Sequence, residues 1–225
     1  WSVEFEYPYH AYLTWGWREQ DDYPGTFIPL PAPMLNPFRE KHRETNSTLA
    51  MVAGGREIRD IRLYGPRPKQ SIKCREQKLE FIDRLSAGPR QNLKYFAYVR
   101  RQQDLLDEEY LTQHCPDLQI TRGGLNQEML KTRLLFMDKP GTSMILALAG
   151  NVPTVCYWNP EFFSIAPQAA PFFDSLADCG IFHDQPDSAA EHINAIWDDV
   201  AGWWESVPVQ KARNEWKNQF ARSSR

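Results

Sequence analysis

The sequence predicts an α/β fold in which helices cover both faces of a parallel, doubly wound sheet. Short apolar runs typical of buried strands alternate with helical segments through most of the chain. Apolar residues make up 42% of the sequence and charged residues 24%, which is an ordinary globular composition. We therefore divide the chain into an N-terminal segment, residues 1–46, and one α/β domain, residues 47–225.

The N-terminal segment is rich in proline and aromatic residues. Prolines recur through residues 26–38 (TFIPLPAPMLNPF), where they argue against a helix and a central strand, so we expect an extended connector. The chain opens at Trp1 without a methionine and continues with aromatic and apolar residues. We expect this segment to pack on a missing preceding domain or on a second copy of the chain.

The first half of the domain is predicted to contain three strands, each followed by a helix. The run TLAMVAG ends at Gly54 and Gly55, as a buried parallel strand does. Leu79, Ile82 and Leu85 stand at helical spacing before a Gly–Pro stop. The predicted strands are residues 48–54, 93–99 and 118–121, and the predicted helices are residues 73–86, 105–114 and 126–132.

The second half continues the alternation of strands and helices. Gly180 is the expected C-cap of one helix, and Asp187 and Ser188 are expected to cap a long helix that runs through Trp204. The predicted strands are residues 133–137, 152–158 and 181–183, and the other predicted helices are residues 144–150, 169–177 and 209–221.

Charge, cysteine spacing and hydropathy exclude several classes of protein. A net charge of -3 argues against a nucleic-acid partner. The four cysteines form no C-x-x-C pair, so we expect reduced thiols in a cytoplasmic protein and neither a zinc site nor a disulfide framework. No apolar stretch reaches the length of a membrane span, and peripheral association with a membrane stays open. No metal cluster, catalytic triad or P-loop motif is present.

The strongest candidate binding site is the turn at residues 138–143, which joins a predicted buried strand to a helix. It begins with Asp138 and Lys139, and Lys139 adds a cation. Gly141 permits close approach to the backbone, and Thr142 and Ser143 place hydroxyls beside the free N–H groups of the helix start. Such a turn suits a phosphate or diphosphate. The alternative interpretation is that Thr142 or Ser143 only caps the helix.

Two further loops follow predicted strands and are weaker candidates. Gly54, Gly55 and Arg56 come after the first strand, where glycines admit a nucleotide phosphate; a tight turn with solvated arginines is the alternative. Arg100 follows the second strand and either faces the same cleft or is a surface charge.

A His–Asp pair and several tryptophans favour structural roles. Adjacent residues on a strand point to opposite faces, so we assign residues 183–184 no catalytic role. We expect the tryptophans to be buried rather than to stack on a sugar or base; they are Trp15, Trp17, Trp203 and Trp204.

Two longer segments resemble a known family. Residues 140–163 (PGTSMILALAGNVPTVCYWNPEFF) are similar to the donor-site segment of glycosyltransferases with two Rossmann-like domains, the GT-B fold. Residues 177–204 (ADCGIFHDQPDSAAEHINAIWDDVAGWW) and the TWGW and IPLP segments resemble a transferase family of bacterial O-antigen and surface-carbohydrate gene clusters. The resemblance covers nearly the whole chain and implies a Rossmann-like, C-terminal GT-B domain, which holds the nucleotide-sugar.

The resemblance implies a glycosyltransferase that moves a sugar from a nucleotide-sugar donor to a surface-polysaccharide acceptor. The donor is a substrate, and no separate cofactor is expected. Gly141, Thr142 and Ser143 would bind the donor phosphates, and Gly54 and Gly55 would border the cleft. No residue is identified as the catalytic base, which usually lies in the N-terminal domain of such enzymes.

Two departures from the family pattern motivate alternatives. Leu146 stands where relatives tend to have a glutamate, and residues 96–99 (FAYV) stand where relatives carry an Arg-Pro-Tyr-Pro-like run. One alternative is a non-catalytic scaffold or assembly protein built on a decayed transferase fold. Another is a sugar-nucleotide epimerase, a class that also has the GT-B fold.

Overall fold

A six-stranded parallel sheet forms the centre of the computed structural model, which describes residues 10–18, 25–52, 68–97 and 107–224. The sheet has the order β5-β4-β3-β6-β7-β8, so the chain moves outward from β3 and then outward again from β6 in the opposite direction. The strands are β1 (Tyr12–Thr14), β2 (Phe27–Pro29), β3 (Leu49–Val52), β4 (Leu93–Ala97), β5 (Gln119–Arg122), β6 (Leu134–Met137), β7 (Thr154–Tyr157) and β8 (Phe182–His183).

Helices lie on both faces of this sheet, which confirms the predicted α/β class with a parallel sheet. The first face carries α1, α3 and α7, and the second carries α5, α6 and α9. The described helices are α1 (Pro68–Arg84), α2 (Ala87–Gln91), α3 (Asp107–His114), α4 (Leu125–Met129), α5 (Thr142–Gly150), α6 (Ala170–Asp178), α7 (Pro186–Ile196), α8 (Val200–Glu205) and α9 (Val207–Phe220).

The alternation of side chains along the buried strands produces the two cores. In β6, Leu134 and Phe136 join the core under α1, whereas Leu135 and Met137 join the core under α5. Phe136 stacks on Phe81 of α1 with ring centroids 3.7 Å apart. All four side chains of β6 are buried, as expected for a central parallel strand.

The N-terminal segment is only partly extended, so the prediction for residues 26–38 is wrong in its second half. A short parallel pair, β1 and β2, is followed by a 3-10 helix at Pro33–Leu35. Pro33 begins that helix, where its missing N–H is not needed, and Leu35 is fully buried against the core. Backbone bonds tie the segment to the end of the chain: Arg222 N–H donates to Trp15, and Ala32 N–H donates to Arg222.

The predicted cap at Asp187 and Ser188 is also wrong. Helix α7 begins at Pro186, and its N-cap residue is Gln185, so Asp187 and Ser188 lie inside the helix. The predicted long helix through Trp204 is interrupted by a 3-10 helix (Trp197–Asp199) before α8 begins. The Asp199 side chain caps α8 by accepting a 2.9 Å hydrogen bond from Gly202 N–H, which fixes this break.

Where they are described, the other predicted helices and strands of the α/β domain agree with the structure within a few residues. Helix α2, in contrast, lies where the sequence predicted only a Gly–Pro stop. Gly180 has φ +78°, as its predicted capping position after α6 requires. None of the helices in the described part of the chain combines the length and the apolar character needed to cross a membrane.

Candidate functional site

The strand order reverses between β3 and β6, and this reversal positions the candidate site. Val52, the last residue of β3, lies opposite Met137, the last residue of β6. Crevices at such reversals, beyond the carboxyl ends of the strands, are where open α/β sheets bind ligands. The turn that was predicted from the sequence, residues 138–143, therefore leaves the sheet at this crevice.

The turn becomes progressively exposed as it approaches α5. Asp138 is buried, Lys139 and Pro140 are half-buried, and Gly141 and Thr142 are exposed. A Cβ built on Gly141 would meet no atom of the described residues within 4 Å. A ligand can thus reach the backbone of this turn from the exposed side.

Helix α5 begins after a residue that has no side chain. Gly141 occupies the N-cap position, so neither Thr142 nor Ser143 is the N-cap residue. The capping interpretation of Thr142 and Ser143 is therefore wrong. The first N–H groups of a helix have no acceptor within it, and the first turn here carries no acidic residue, so this end of the helix favours an anion.

The rest of α5 is held rigidly in the core. Met144 and residues 146–150 are buried, and Asn151 ends the helix in the left-handed conformation (φ 60°). The Trp204 indole donates to both the backbone and the side-chain oxygen of Asn151, at 3.1 and 3.0 Å. Packing and this cap fix the direction in which the helix start points.

A buried group of three charges, here called the Lys78 cluster, lies behind the turn. It consists of Lys78, Asp107 and Asp138. The Lys78 ammonium contacts the Asp107 carboxylate and lies 3.3 Å from Asp138 Oδ2. The cluster joins α1, the first residue of α3 and the first residue after β6, so it connects the segments around the crevice.

The Lys78 cluster contains a buried polar atom that forms no hydrogen bond with the described residues. Asp107 Oδ1 is buried without a hydrogen-bond partner among the residues that the structure describes. Tyr95 on β4 is buried nearby; burial raises the pKa of its phenol, the Lys78 ammonium opposes that shift, and the two aspartates add to it. Tyr95 is thus a neutral hydroxyl at neutral pH.

The structure brings five of the predicted site residues into one turn. These are Asp138, Lys139, Gly141, Thr142 and Ser143. Gly54, Gly55, Arg56 and Arg100 lie outside the described residues, so their predicted place at the cleft stays a prediction.

Two members of the Lys78 cluster, Lys78 and Asp107, were not predicted from the sequence. A signal for Lys78 exists, because it falls in the buried stripe of α1 between Cys74 and Phe81. A lysine at a core position of a helix requires a buried counter-charge. The sequence offers no comparable signal for Asp107, which is one of three consecutive acidic residues.

His183 and two of the tryptophans make the structural contacts that the sequence predicted for them. Both ring nitrogens of His183 contact protein groups, Ser188 Oγ and the Gly180 carbonyl oxygen, each at 3.1 Å. Trp204 is buried, and the half-buried Trp203 donates to the Cys179 carbonyl oxygen at 3.0 Å. Trp15, in contrast, is exposed, so the prediction of burial is wrong there.

Comparison with known proteins places the chain in a family. No curated protein matches the sequence. The family model described as LIC12162 family transferase matches residues 3–225, which is nearly the whole chain. The chain therefore belongs to the LIC12162 family of transferases.

Proposed function

We propose that this transferase is a glycosyltransferase that binds its nucleotide-sugar donor at the crevice between β3 and β6. The domain would then be the donor-binding half of a GT-B enzyme, and the acceptor would be a growing surface polysaccharide. The observation that carries the proposal is the start of α5 at the carboxyl end of β6, where the N-cap residue is the exposed Gly141.

The proposed ligand contacts follow from the chemistry of this helix start. Diphosphate oxygens would accept hydrogen bonds from the N–H groups of Thr142 and Ser143 and from their hydroxyls. Lys139 would add a positive charge from the same turn. Asp138, held in a buried ion pair with Lys78, would position the turn rather than touch the phosphates.

The same contacts would assist the transfer step. The acceptor hydroxyl attacks the anomeric carbon, the bond from that carbon to the diphosphate oxygen breaks, and the hydroxyl proton passes to a base. The electron pair of the broken bond leaves with the nucleotide, so negative charge grows on the diphosphate. N–H and O–H groups that already point towards the diphosphate stabilise this developing negative charge.

A nucleotide screen tests the proposal directly. UDP, GDP, ADP, dTDP and CMP would each be added to the chain and thermal unfolding recorded. A nucleotide at 100 times its dissociation constant adds ~2.7 kcal/mol, or roughly 5–10 °C in Tm for a chain of this size. We expect one base to be selected, and stabilisation by none of them would contradict the proposal.

Two variants locate the binding site, and a third serves as the control. Thr142→Ala should weaken nucleotide binding about tenfold, since a hydrogen bond to a charged group is lost. Gly141→Val should abolish binding without unfolding the protein, because φ is 168° and no described atom lies close to the new side chain. Ser86→Ala removes an exposed, non-capping hydroxyl at the start of α2 and should change nothing.

One observation favours a non-catalytic scaffold as the second candidate. Leu146 packs in the core on the α5 side of the sheet, so this chain offers no carboxylate to a donor ribose from that position. A scaffold could retain nucleotide binding but would not turn over any activated sugar. Release of the free nucleotide measures hydrolysis or transfer of an activated sugar by the purified protein. Turnover in this assay would eliminate the scaffold candidate.

A further inference from the structure

A polar pocket that shares no residue with the turn at residues 138–143 lies between the N-terminal segment and the end of α9. Its volume is about 540 Å³, within the range of small-molecule sites. The lining residues are Pro31, Arg39, Lys217, Asn218, Arg222, Ser223 and Ser224. We call it the Arg222 pocket.

The charges of the Arg222 pocket are of one sign. Three of its lining residues are cations and none is acidic. Arg39 and Arg222 are exposed, and neither guanidinium forms an ion pair within the described ranges of the chain. Lys217 forms an ion pair with Glu40, which does not line the pocket; its Nζ lies 3.1 Å from Glu40 Oε1.

Even when that carboxylate is counted, positive charge dominates. Glu40 also pairs with Arg213 at 2.8 Å, so Glu40, Arg213 and Lys217 together carry +1. With Arg39 and Arg222, the charges of the described residues around the pocket sum to +3. Among the described residues, an anionic ligand would find two guanidinium groups that no carboxylate pairs with.

Hydrogen bonds fix the backbone from which the arginines of the pocket extend. Arg222 is bonded on both sides, through its N–H to Trp15 and through its carbonyl oxygen from Ala32, each at 2.8 Å. Arg39 N–H donates to Leu35 at 3.0 Å, and Ser224 Oγ donates to Asn36 Oδ1 at 2.6 Å. The backbone under both arginines is thus fixed before a ligand arrives, which lowers the cost of binding.

We propose that the Arg222 pocket binds a phosphate-bearing anion. Guanidinium groups form paired, charge-assisted hydrogen bonds with phosphate, and the hydroxyl and amide groups of Ser223 and Asn218 supply further donors. The volume accommodates more than a single phosphate group. This site goes beyond the proposed donor site and does not depend on it, since none of its lining residues belongs to the turn at residues 138–143.

Calorimetric titration with inorganic pyrophosphate at low ionic strength tests the proposal. Arg39→Gln and Arg222→Gln should each weaken binding about tenfold, and the double variant more. Lys211→Gln serves as the control, because it removes an exposed cation from α9, the helix that also carries Lys217. Lys211 pairs with Glu215 outside the pocket, so this variant should leave the affinity for pyrophosphate unchanged. Thermal unfolding of each variant shows whether the fold is retained, which the exposure of both arginines predicts.

Thr142→Ala separates the two sites, and vesicles separate two sources of phosphate. Pyrophosphate binding that survives Thr142→Ala but not Arg39→Gln/Arg222→Gln supports the pocket and a soluble ligand. Co-sedimentation with phosphatidylcholine vesicles that contain phosphatidic acid, lost in the double variant and absent with pure phosphatidylcholine, supports the pocket and a lipid headgroup. Neither kind of binding, or binding that the double variant leaves unchanged, would overturn the proposal.

Discussion

Two ion clusters in this molecule have opposite arrangements of charge. In the Lys78 cluster, one lysine lies between two carboxylates, and the three side chains are 0–9% exposed. In the second, here called the Glu40 cluster, one carboxylate lies between two cations: Glu40 is 45% exposed, Lys217 is 16% exposed and Arg213 is 2% exposed. The formal sums of the three groups are -1 and +1.

The difference in exposure decides what each cluster can do. Water cannot replace a lost partner in the Lys78 cluster, so its three groups depend on one another. Water does reach Glu40. Burial alone would raise the pKa of Glu40, but the bonds from Arg213 and Lys217 outweigh burial and hold that pKa below its ordinary value.

The two clusters also connect different parts of the chain. The Lys78 cluster joins α1 and α3 to the turn after β6, at the carboxyl edge of the sheet. The Glu40 cluster joins residues separated by 173 positions and so ties the N-terminal segment to α9. The buried cluster thus supports the crevice, and the exposed one fastens a peripheral segment.

The largest effect is expected when the buried cluster loses its cation. Lys78→Met should cost about 3–5 kcal/mol in the free energy of unfolding, because two buried carboxylates lose the Lys78 ammonium as a counter-charge. Urea unfolding at neutral pH measures this. Lys73→Met, at an exposed position of the same helix, should cost less than about 0.5 kcal/mol. Equal costs for the two variants would show that burial of the Lys78 cluster is unimportant.

A smaller loss is expected from the corresponding change in the exposed cluster. Arg213→Met should cost about 2 kcal/mol, since the Leu148 carbonyl oxygen loses its 2.8 Å hydrogen bond while Glu40 keeps Lys217 and water. Lys211→Met, three-quarters exposed on the same helix, is the matched control. A loss as large as that of Lys78→Met would remove the distinction between the clusters.

The sequence predicted the sheet better than it predicted these clusters. Apolar runs such as residues 134–137 are local signals, and they placed the strands and the turn at residues 138–143 correctly. The partners of Lys78 lie 29 and 60 positions away, so only the tertiary fold brings them together. Residues 33–35 lack a local signal of this kind: their prolines favour an extended backbone, and it is the burial of Leu35 that holds the 3-10 helix against the core.

The fastening of the N-terminal segment can also be tested without changing any charge. Gly16 has φ +152°, and a Cβ there would overlap the backbone carbonyl oxygens of Asn218 and Gln219 at the end of α9. Gly16→Ala should therefore cost roughly 1–3 kcal/mol and increase proteolysis of the segment. Gly25→Ala, where the nearest described atoms to the new Cβ belong to the Phe27 ring at ordinary contact distance, is the control. Unchanged stability of Gly16→Ala would mean that the segment is not held by this contact.

The smallest effect concerns an ionisable ring, His192, that forms no ion pair with the described residues. His192 packs against Trp203 and His183, and its Nε2 lacks a hydrogen-bond partner in the part of the chain that the structure describes. Burial and the neighbouring His183 ring lower the pKa of His192 from 6.5 to about 4. The two clusters stabilise their buried charges by ion pairing, whereas His192 is neutral at neutral pH.

The pKa of His192 gives a pH dependence of definite sign. Between pH 6.5 and about 4 the unfolded chain binds a proton that the folded chain does not, so the free energy of unfolding falls as the pH falls through this window. His192→Phe should reduce that fall by on the order of 1 kcal/mol, allowing for solvent screening of a partly exposed ring. Urea midpoints at pH 4.5 and 7 measure the difference for both proteins. The lowered pKa of His183 contributes with the same sign, so the variant should retain part of the dependence, and an unchanged slope would show that His192 titrates normally in the folded protein.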